Sequence, residues 1–455
     1  MNETEIQSLN PANGEIVGSV NVTPIDEITI MVARARSAQS DWSGLGIEGR
    51  REALLGAGER MIAAAPEIGR LLTKEMGKPL AEGEGENRGC GAHLAAELDE
   101  MVAALAPQII VEGRTHSTIH HDPYGVCVAI TPWNFPFAMP HWLVLPALMA
   151  GNTVILKPSE ETPLIGQAYA DLLGADLPPG VLQVVHGAEV QGRTLVESPV
   201  DLIAFTGSLE VGKGILAQAA GSMRRVILEL GGKDPLIVMR DADIGKAARF
   251  AARNSFRNAG QVCVSTERIY VHEDIADEFS TALVAEARAF QVGSGLDPDT
   301  QIGPMVSRRQ RDHVAKQVDA AIAQGAQLLT GGTVSEVGHF MTPAVLDHVD
   351  HTMGVATVET FGPVAAIIRV SDHGEAVRLA NDTPFGLGAV VFGGDVVAAE
   401  ALARRLDAGM VGVNRGVGGA SGTPWVGARQ SGYGYHKSVA GHRQFTQVRV
   451  LSRKA

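Results

Sequence analysis

Cys263 has the surroundings of a reactive thiol. It ends the stretch 258–263, which reads NAGQVC and follows a helix-like segment. A free thiol has a pKa of about 8.5, so it needs a base or a helix terminus to become a nucleophile. Glu229 ends an apolar run, is followed by two glycines at 231 and 232, and could activate the thiol or a water. The pair predicts covalent catalysis on a carbonyl carbon. The alternatives are a small buried hydrophobe at 263 and a solvated edge carboxylate at 229.

The other two cysteines have no comparable setting. Cys127 lies inside an apolar strand and Cys90 in an otherwise helical stretch, so we interpret both as structural residues. The three cysteines form neither a disulfide framework nor a paired metal-ligand spacing, and we expect no metal. Because an important thiol must stay free, we expect a reducing, cytoplasmic location.

Asn134 lies in a loop that two prolines restrain. Residues 131–136 read TPWNFP and follow a predicted strand. A rigid loop suits an amide that donates to a developing oxyanion, an interaction that can be worth about 3 kcal/mol. A structural asparagine that satisfies a turn explains the residue equally well, and both interpretations remain open.

Two further strand ends could hold a dinucleotide. Lys157 and Glu160, in the stretch KPSE, follow an apolar strand and suit the hydroxyls of an adenosine ribose. Glu160 would repel a 2′-phosphate, which favours NAD over NADP. Residues 205–212, FTGSLEVG, end another strand and open a helix whose unpaired N–H groups could bind a pyrophosphate. This stretch is neither a GxGxxG nor a Walker sequence, so by spacing alone it is a weak signal.

The elements that must position these residues predict an α/β fold. Apolar spacing is helical from Asp26 to about Leu105, and a hairpin around Gly113-Arg114 follows. Helical segments separate most of the later strands, which predicts parallel sheets in two α/β domains. The alternating tail 444–451 predicts a strand that pairs with another element or subunit. The predicted strands are Ile109–Val111, Thr118–His120, Val126–Ile130, Val154–Leu156, Leu182–Val185, Leu202–Phe205, Val226–Leu228, Leu236–Met239, Arg268–His272, Ala365–Val370 and Gly388–Phe392.

Composition excludes some classes of function. The chain has 455 residues, 45% hydrophobic and 20% charged, which is ordinary for a globular protein of two or three domains. A net charge of −13 without a basic stripe argues against a nucleic acid partner. The acidic N-terminus lacks the features of a signal peptide, and the longest apolar stretch, Trp142–Leu156, is interrupted and short. We therefore expect no membrane partner.

Taken together, these residues resemble the aldehyde dehydrogenase superfamily nearly from end to end. Besides the stretches above, the resemblance rests on EMGKP at 75–79, GQVC at 260–263 and ETFGP at 359–363. It implies that Cys263 is the nucleophile, that Glu229 activates the hydrolytic water, and that Asn134 and the Cys263 N–H form the oxyanion hole. The implied NAD or NADP contacts are Ile130, Thr131, Pro132, Trp133, Lys157, Ser159, Glu160, Gly187, Phe205, Thr206, Gly207, Ser208, Val211, Leu230, Glu359 and Phe361.

The resemblance also implies an architecture. We expect a Rossmann-like cofactor domain (1–106, 122–230 and 413–431), an α/β catalytic domain (231–412) and a small β oligomerisation element (107–121 and 432–455). A homodimer or homotetramer follows from that element. The expected reaction is NAD(P)-dependent oxidation of a small-molecule aldehyde to a carboxylic acid.

Two departures weaken analogies about the substrate. Many relatives read Pro-Phe-Gly-Gly and then Lys where this chain reads PWVGAR at 424–429. Succinate-semialdehyde dehydrogenases often hold the substrate carboxylate with two arginines. Arg257 matches one of them, whereas Trp142 stands at the other position. Arg257 as a carboxylate ligand and as a structural ion pair both stay open. Trp142, Arg257, Val262 and Val264 are expected to line the substrate pocket.

Three alternatives to plain aldehyde oxidation follow. They are a succinate-semialdehyde-type dehydrogenase, an acylating enzyme that releases the thioester to CoA, and a non-catalytic binding or structural member of the same fold. Glu229 favours hydrolysis over CoA, since acylating relatives often lack that carboxylate. The presence of Cys263, Glu229 and Asn134 together favours an enzyme over a binding protein.

Overall fold

The computed structural model describes residues 4–454, so residues 1–3 and 455, which the predicted domains include, lie outside the described part. The strands, in chain order, are β1 (Glu5–Leu9), β2 (Ile16–Asn21), β3 (Gln108–Glu112), β4 (Thr115–Pro123), β5 (Val126–Ile130), β6 (Thr153–Lys157), β7 (Leu182–Val184), β8 (Leu202–Gly207), β9 (Arg225–Leu230), β10 (Asp234–Val238), β11 (Thr266–His272), β12 (Gln327–Thr330), β13 (Ala344–Asp347), β14 (Val364–Val370), β15 (Gly388–Phe392), β16 (Met410–Val413), β17 (Gly432–Tyr433) and β18 (Thr446–Lys454).

The α-helices cover much of the remaining chain. In order they are α1 (Ile25–Gly44), α2 (Gly46–Leu55), α3 (Ala57–Met76), α4 (Leu80–Leu105), α5 (Ala138–Met149), α6 (Pro163–Gly174), α7 (Glu189–Glu197), α8 (Leu209–Ala220), α9 (Ile244–Phe256), α10 (Glu273–Ala289), α11 (Arg308–Ala323), α12 (Gly354–Thr357), α13 (His373–Asn381), α14 (Val396–Ala403) and α15 (Ser438–His442). Among residues 4–454, no helix combines the length and the hydropathy that crossing a bilayer requires.

The first large sheet has the strand order β17-β9-β8-β5-β6-β7 and is parallel except for the edge strand β17. The central strands β5, β6 and β8 are almost entirely buried on both faces. In β5, Cys127 and Ala129 pack into one apolar cluster, whereas Val126 and Val128 pack into another on the opposite face. This explains why β5 is continuously apolar rather than alternating.

The second large sheet has the order β12-β13-β14-β11-β10-β15-β16, with only β12 antiparallel. It contains the predicted strands Leu236–Met239, Arg268–His272, Ala365–Val370 and Gly388–Phe392, and it has its own apolar core. The predicted α/β class with two parallel sheets is confirmed.

A small antiparallel sheet of order β18-β4-β3 stands apart from both. The predicted 107–121 hairpin is present, and the predicted tail strand pairs with β4 along nine residue pairs from Thr446↔Pro123 to Lys454↔Thr115. Gly432 and Tyr433, by contrast, pair with β9 of the first sheet rather than joining the small sheet.

Several strands were not predicted from the sequence. The β1–β2 hairpin is mostly exposed, and β12 is a half-exposed edge strand, so neither carries a strong apolar pattern. Strands β13 and β16 are each only four residues long. Their strand character depends on the neighbours with which they pair.

Candidate active site

Cys263 follows a tight turn that joins α9 to β11. After α9, residues 257–260 form one 3₁₀ turn in which Asn258 (φ 52°) and Ala259 (φ 55°) adopt the left-handed conformation that side chains rarely take. At Gly260 (φ 71°), a Cβ would lie 2.0 Å from the Gly362 carbonyl oxygen, so only glycine fits. The turn leaves the Cys263 side chain partly exposed.

Gln261 fixes this turn from inside. It is fully buried; its Nε2 donates to the Asn258 carbonyl at 3.0 Å, and its Oε1 accepts from the Val306 N–H at 2.9 Å. The backbone N–H of Cys263 makes no hydrogen bond within residues 4–454. That donor is therefore free to reach a ligand held against the thiol.

Two cavities meet at Cys263. The larger has a volume of about 590 Å³, and all four predicted pocket residues, Trp142, Arg257, Val262 and Val264, line it. The smaller has a volume of about 240 Å³. Its lining includes Pro132, Trp133, Asn134, Thr206, Gly207, Ser208, Glu229, Leu230, Glu359 and Phe361 from the predicted site. The thiol is thus reached from two sides.

Glu229 lies near the end of β9, buried beside the thiol. Burial raises its pKa to about 7, while interactions with Cys263, Trp425 and Thr206 act in the opposite direction. The Trp425 Nε1–H donates to Glu229 Oε1 at 3.4 Å. A carboxylate with a pKa near neutrality is well matched to general-base catalysis.

Burial, and then the charge of Glu229, raise the pKa of the Cys263 thiol well above its usual value. The two groups share one small volume, and two negative charges there would repel each other. The pair therefore retains a proton at neutral pH, and Glu229 is placed to receive it from the thiol.

The Asn134 side chain is held against the Cys263 turn. Its Nδ2 donates one hydrogen bond, to the Gln261 carbonyl at 3.1 Å, and the backbone carbonyl of Asn134 accepts from Asn258 Nδ2 at 3.1 Å. The second Nδ2 hydrogen has no partner among the described residues. Asn134 is a member of the buried turn and also faces the smaller cavity, so the two predicted interpretations are compatible.

A buried ion pair supports the Asn134 loop. Lys78 Nζ lies 2.5 Å from Glu86 Oε2 and donates to the Asn134 carbonyl at 3.0 Å. Glu86 Oε1 accepts from the N–H groups of Phe137 and Ala138, each at 3.0 Å. Lys78 belongs to the EMGKP stretch, but Glu86 was missed, since one more glutamate on an acidic helix has no local signal.

A second buried pair positions Glu359 and Phe361. Lys233 Nζ lies 2.6 Å from Glu267 Oε2, and the Glu267 carboxylate accepts from the N–H groups of Thr360 and Phe361 at 2.8 Å each. Neither Lys233 nor Glu267 was predicted, because their partners are distant in sequence.

Glu359 is a buried carboxyl with spare hydrogen-bonding capacity. Burial, and next the charge of Glu267, raise its pKa to about 8. Its side chain accepts one hydrogen bond, from the Gly232 N–H at 3.1 Å. At Gly231, a Cβ would lie 2.4 Å from this carboxylate, so the glycine permits the close approach. Such a carboxyl suits a ligand that brings hydroxyl donors.

The remaining predicted cofactor contacts lie around the carboxyl ends of the same sheet. Lys157 ends β6 and is buried, with its Nζ 3.5 Å from the half-exposed Glu160 carboxylate. Ser208 precedes α8 and makes no capping hydrogen bond, which leaves the first N–H groups of that helix without a side-chain acceptor. The residues in this outer group are Ile130, Thr131, Lys157, Ser159, Glu160, Gly187, Phe205 and Val211, and none lines the smaller cavity.

Comparison with known proteins identifies the family. The sequence model described as "Aldehyde dehydrogenase family" matches residues 1–451. The chain belongs to this family. The resemblance drawn from the motifs is confirmed, and so is an NAD(P)-dependent dehydrogenase, since relatives carry that activity in their names.

Three curated relatives share 36% identity with the chain. A "Probable succinate-semialdehyde dehydrogenase [NADP(+)]" of Sinorhizobium fredii is similar over 97% of this chain and 91% of its own. A "Glutarate-semialdehyde dehydrogenase" of Pseudomonas putida is similar over 99% and 94%. A "Betaine aldehyde dehydrogenase" of S. fredii is similar over 98% and 93%. These names span anionic and cationic aldehydes, so identity does not select a substrate.

Solved structures agree with the fold. An aldehyde dehydrogenase from Brucella melitensis biovar abortus superposes with a TM-score of 0.95 at 35% identity, covering 99% of this chain and 94% of the other. An indole-3-acetaldehyde dehydrogenase in complex with NAD⁺ superposes with a TM-score of 0.95 at 33% identity, covering 99% and 93%.

Trp425 generates a prediction about pH dependence. We expect Glu229 to act as a base, which only its ionised form can do, so activity should rise as the pH increases through about 7. The Trp425→Phe variant loses the N–H that stabilises the ionised carboxylate. We expect the acid limb of the pH profile of kcat to move upward by roughly 0.5 pH units, equivalent to about 0.7 kcal/mol.

The control is Trp142→Phe, because Trp142 lines the same cavity without bonding to Glu229. Profiles measured between pH 5 and 10 should move only for Trp425→Phe. An unmoved acid limb in that variant would contradict the assigned role of the indole.

Proposed function

We propose that the protein oxidises an aldehyde to a carboxylic acid through a covalent adduct on Cys263. One observation carries the proposal: the thiol lies where two cavities meet, with a buried carboxylate of pKa about 7 beside it. One cavity gives an aldehyde access to the sulfur. The other gives a nicotinamide cofactor access from the opposite side.

The residues around the smaller cavity suit NAD(P). The Glu359 carboxyl accepts one hydrogen bond and has capacity for others, and the start of α8 has no side-chain cap. Together with the Lys157 ammonium, these groups offer partners for ribose hydroxyls and a pyrophosphate. Trp133 and Phe361 pack edge to face with ring centroids 5.4 Å apart and form an apolar wall. When bound, NAD(P) accepts the hydride that leaves the tetrahedral carbon.

The side chains supply the remaining steps. Glu229 takes the thiol proton, and the Cys263 sulfur forms a bond to the aldehyde carbon. The free Asn134 Nδ2 hydrogen and the Cys263 N–H donate to the resulting oxyanion. After hydride loss the substrate is a thioester on Cys263. Glu229 first releases the thiol proton to solvent and then removes a proton from water, whose oxygen attacks the acyl carbon. The carbon–sulfur bond breaks to release the acid, and the departing Cys263 thiolate takes the proton from Glu229.

The first test of this mechanism is substitution of the two groups. Cys263→Ser should abolish NAD(P)H formation, since a hydroxyl at that position is a far weaker nucleophile. Glu229→Gln should lower steady-state turnover by about 10²–10⁴-fold. Absorbance at 340 nm during aldehyde oxidation measures both. Undiminished turnover by Cys263→Ser would refute the nucleophile.

The same assay separates hydrolysis from transfer to CoA. With water as the acceptor, turnover proceeds without CoA and releases the free acid. Strict dependence on CoA would instead favour the acylating alternative. If no aldehyde is oxidised under any condition, the non-catalytic alternative gains support.

We propose NAD as the preferred cofactor because Glu160 stands beside Lys157 at the predicted ribose site. Its negative charge would repel a 2′-phosphate. Glu160→Gln should therefore raise the ratio of kcat/KM with NADP to that with NAD by roughly tenfold. The matched control is Glu197→Gln, an exposed glutamate that ends α7. A wild-type preference for NADP would contradict the role of Glu160.

We further propose that the small sheet joins copies of the chain into a homodimer or homotetramer. Its outer strands expose apolar side chains: Ile109 of β3 is 72% exposed and Val450 of β18 is 60% exposed. Within residues 4–454, both strands also leave one backbone edge unpaired. Exposed apolar edges of this kind are typical of contacts between subunits.

The double variant Ile109→Lys and Val450→Lys tests this assembly. A lysine is costly to bury in a contact between subunits, so we expect a smaller particle by light scattering after size exclusion. Val397→Lys, which replaces an apolar residue 77% exposed on α14, should leave the mass unchanged. A monomeric wild-type chain would contradict the proposal.

A reducing, cytoplasmic location is also proposed. All three cysteines are free thiols in the fold, and Cys263 must remain so to act as a nucleophile.

A further inference from the structure

We infer that Lys437 selects aldehydes that carry a carboxylate at the end opposite to the aldehyde group. This inference names the substrate class of the proposed reaction and therefore rests on the proposed function. Lys437 was not among the predicted site residues. Its position in the fold, not its sequence neighbourhood, indicates the role.

Lys437 lies near the C-terminal end of the sequence and forms part of the wall of the larger cavity. It lines this cavity and also an adjoining one of about 370 Å³. A backbone bridge between Trp425 and His436 holds the segment beside the cavity. Lys437 (φ 58°, ψ 167°) and Ser438 (φ 63°) both have positive φ angles, which cost energy for residues other than glycine. The surrounding structure therefore holds the lysine in place.

The Lys437 ammonium has no protein acceptor. Within residues 4–454 it makes no hydrogen bond to a side chain and has no carboxylate within 4.0 Å, although it lies 3.4 Å from the centre of the Trp142 ring. Glu97 and Glu100 are the carboxylates whose charges raise the pKa of Lys437. Glu97 lies 2.9 Å from His141, whereas Glu100 Oε1, 3.5 Å from His442, accepts no hydrogen bond within the described residues.

Burial lowers the pKa of Lys437, and the charge of Glu97 counters this effect. A partly desolvated ammonium without an acceptor is unfavourable on its own. A ligand carboxylate that reached it would supply both the missing hydrogen bonds and the opposite charge.

Arg257 is the less suitable anchor, although it is the residue that matches the succinate-semialdehyde dehydrogenase pattern. Its Nε lies 3.5 Å from Glu82 Oε2, and its guanidinium lies 5.7 Å from the Phe135 ring centre. A carboxylate of the protein thus already offsets the positive charge. Of the two predicted interpretations of Arg257, these contacts favour the structural ion pair.

The same geometry disfavours cationic aldehydes. A quaternary ammonium group binds best over an aromatic face, and Trp142 offers such a face in this cavity. Lys437 already occupies a position over that ring. A second cation there would meet both a blocked surface and a like charge. In its preference against cationic aldehydes, we therefore expect the chain to differ from the relative that is named a betaine aldehyde dehydrogenase.

The test compares small aldehydes that differ in the group opposite to the aldehyde. The substrates are succinic semialdehyde, butanal and trimethylammonioacetaldehyde, each with saturating cofactor. For the wild type we expect kcat/KM to be at least about tenfold higher for succinic semialdehyde than for the other two. Oxidation of butanal alone would support the proposed function and overturn the selection by Lys437. Absence of any oxidation would overturn the proposed function itself.

Three variants separate the two cations. Lys437→Met should lower the ratio of kcat/KM for succinic semialdehyde to that for butanal about tenfold or more. Lys437→Arg keeps the charge and should retain most of the ratio. Arg257→Met should change it by less than about threefold. A ratio that collapses in Arg257→Met but not in Lys437→Met would overturn the inference.

A binding measurement guards against a variant that folds poorly. Succinate is an unreactive probe of the same site, and its Kd can be measured by calorimetry on the Cys263→Ser protein. Adding Lys437→Met to that protein should weaken succinate binding about tenfold, with the melting temperature reported alongside. Equal affinity with and without Lys437 would overturn the inference.

Discussion

The hydrogen bonds between the Asn134 loop and the Cys263 turn are the constraint on which the site depends. They join the two large sheets: Asn134 belongs to the loop after β5, and the Cys263 turn precedes β11 of the other sheet. The left-handed residues Asn258 and Ala259 are held in place through the same contacts. Without this junction, the thiol, the amide and the carboxylate would have no common geometry.

Two buried ion pairs support the junction from either side. Lys78 and Glu86 carry the Asn134 loop, and Lys233 and Glu267 carry the loop with Glu359 and Phe361. Each pair makes hydrogen bonds to backbone groups of a loop. The buried charges, although costly in free energy, therefore fix the position of that loop. The loops that line the two cavities have no regular secondary structure, but these contacts fix their positions.

Low dielectric around Cys263 and Glu229 links this architecture to chemistry. Burial raises the pKa of both groups, and it leaves one proton for the pair to exchange near neutral pH. Trp425 modifies that balance from the side of the larger cavity through its bond to Glu229. The stretch that departs from the family pattern thus contacts both Glu229 and the larger cavity, so a change of this cavity wall also changes the surroundings of the carboxylate.

The sequence by itself determined the family and the α/β class, and it predicted which chemical groups form the site. Continuous apolar strands, the motifs around Cys263, Glu229 and Asn134, and the hairpin with its partner tail all carry local signals, because each depends on residues close together in the chain. The tertiary structure decided what those signals could not. Glu86, Lys233 and Glu267 act on loops far away in sequence, and no local pattern marks them. Two roles of Arg257 are compatible with its sequence neighbourhood, and the fold places Glu82 beside it. No sequence pattern marks Lys437, which the fold places over the Trp142 ring. Which charges remain free in a cavity depends on every nearby partner, and only the folded chain brings those partners together.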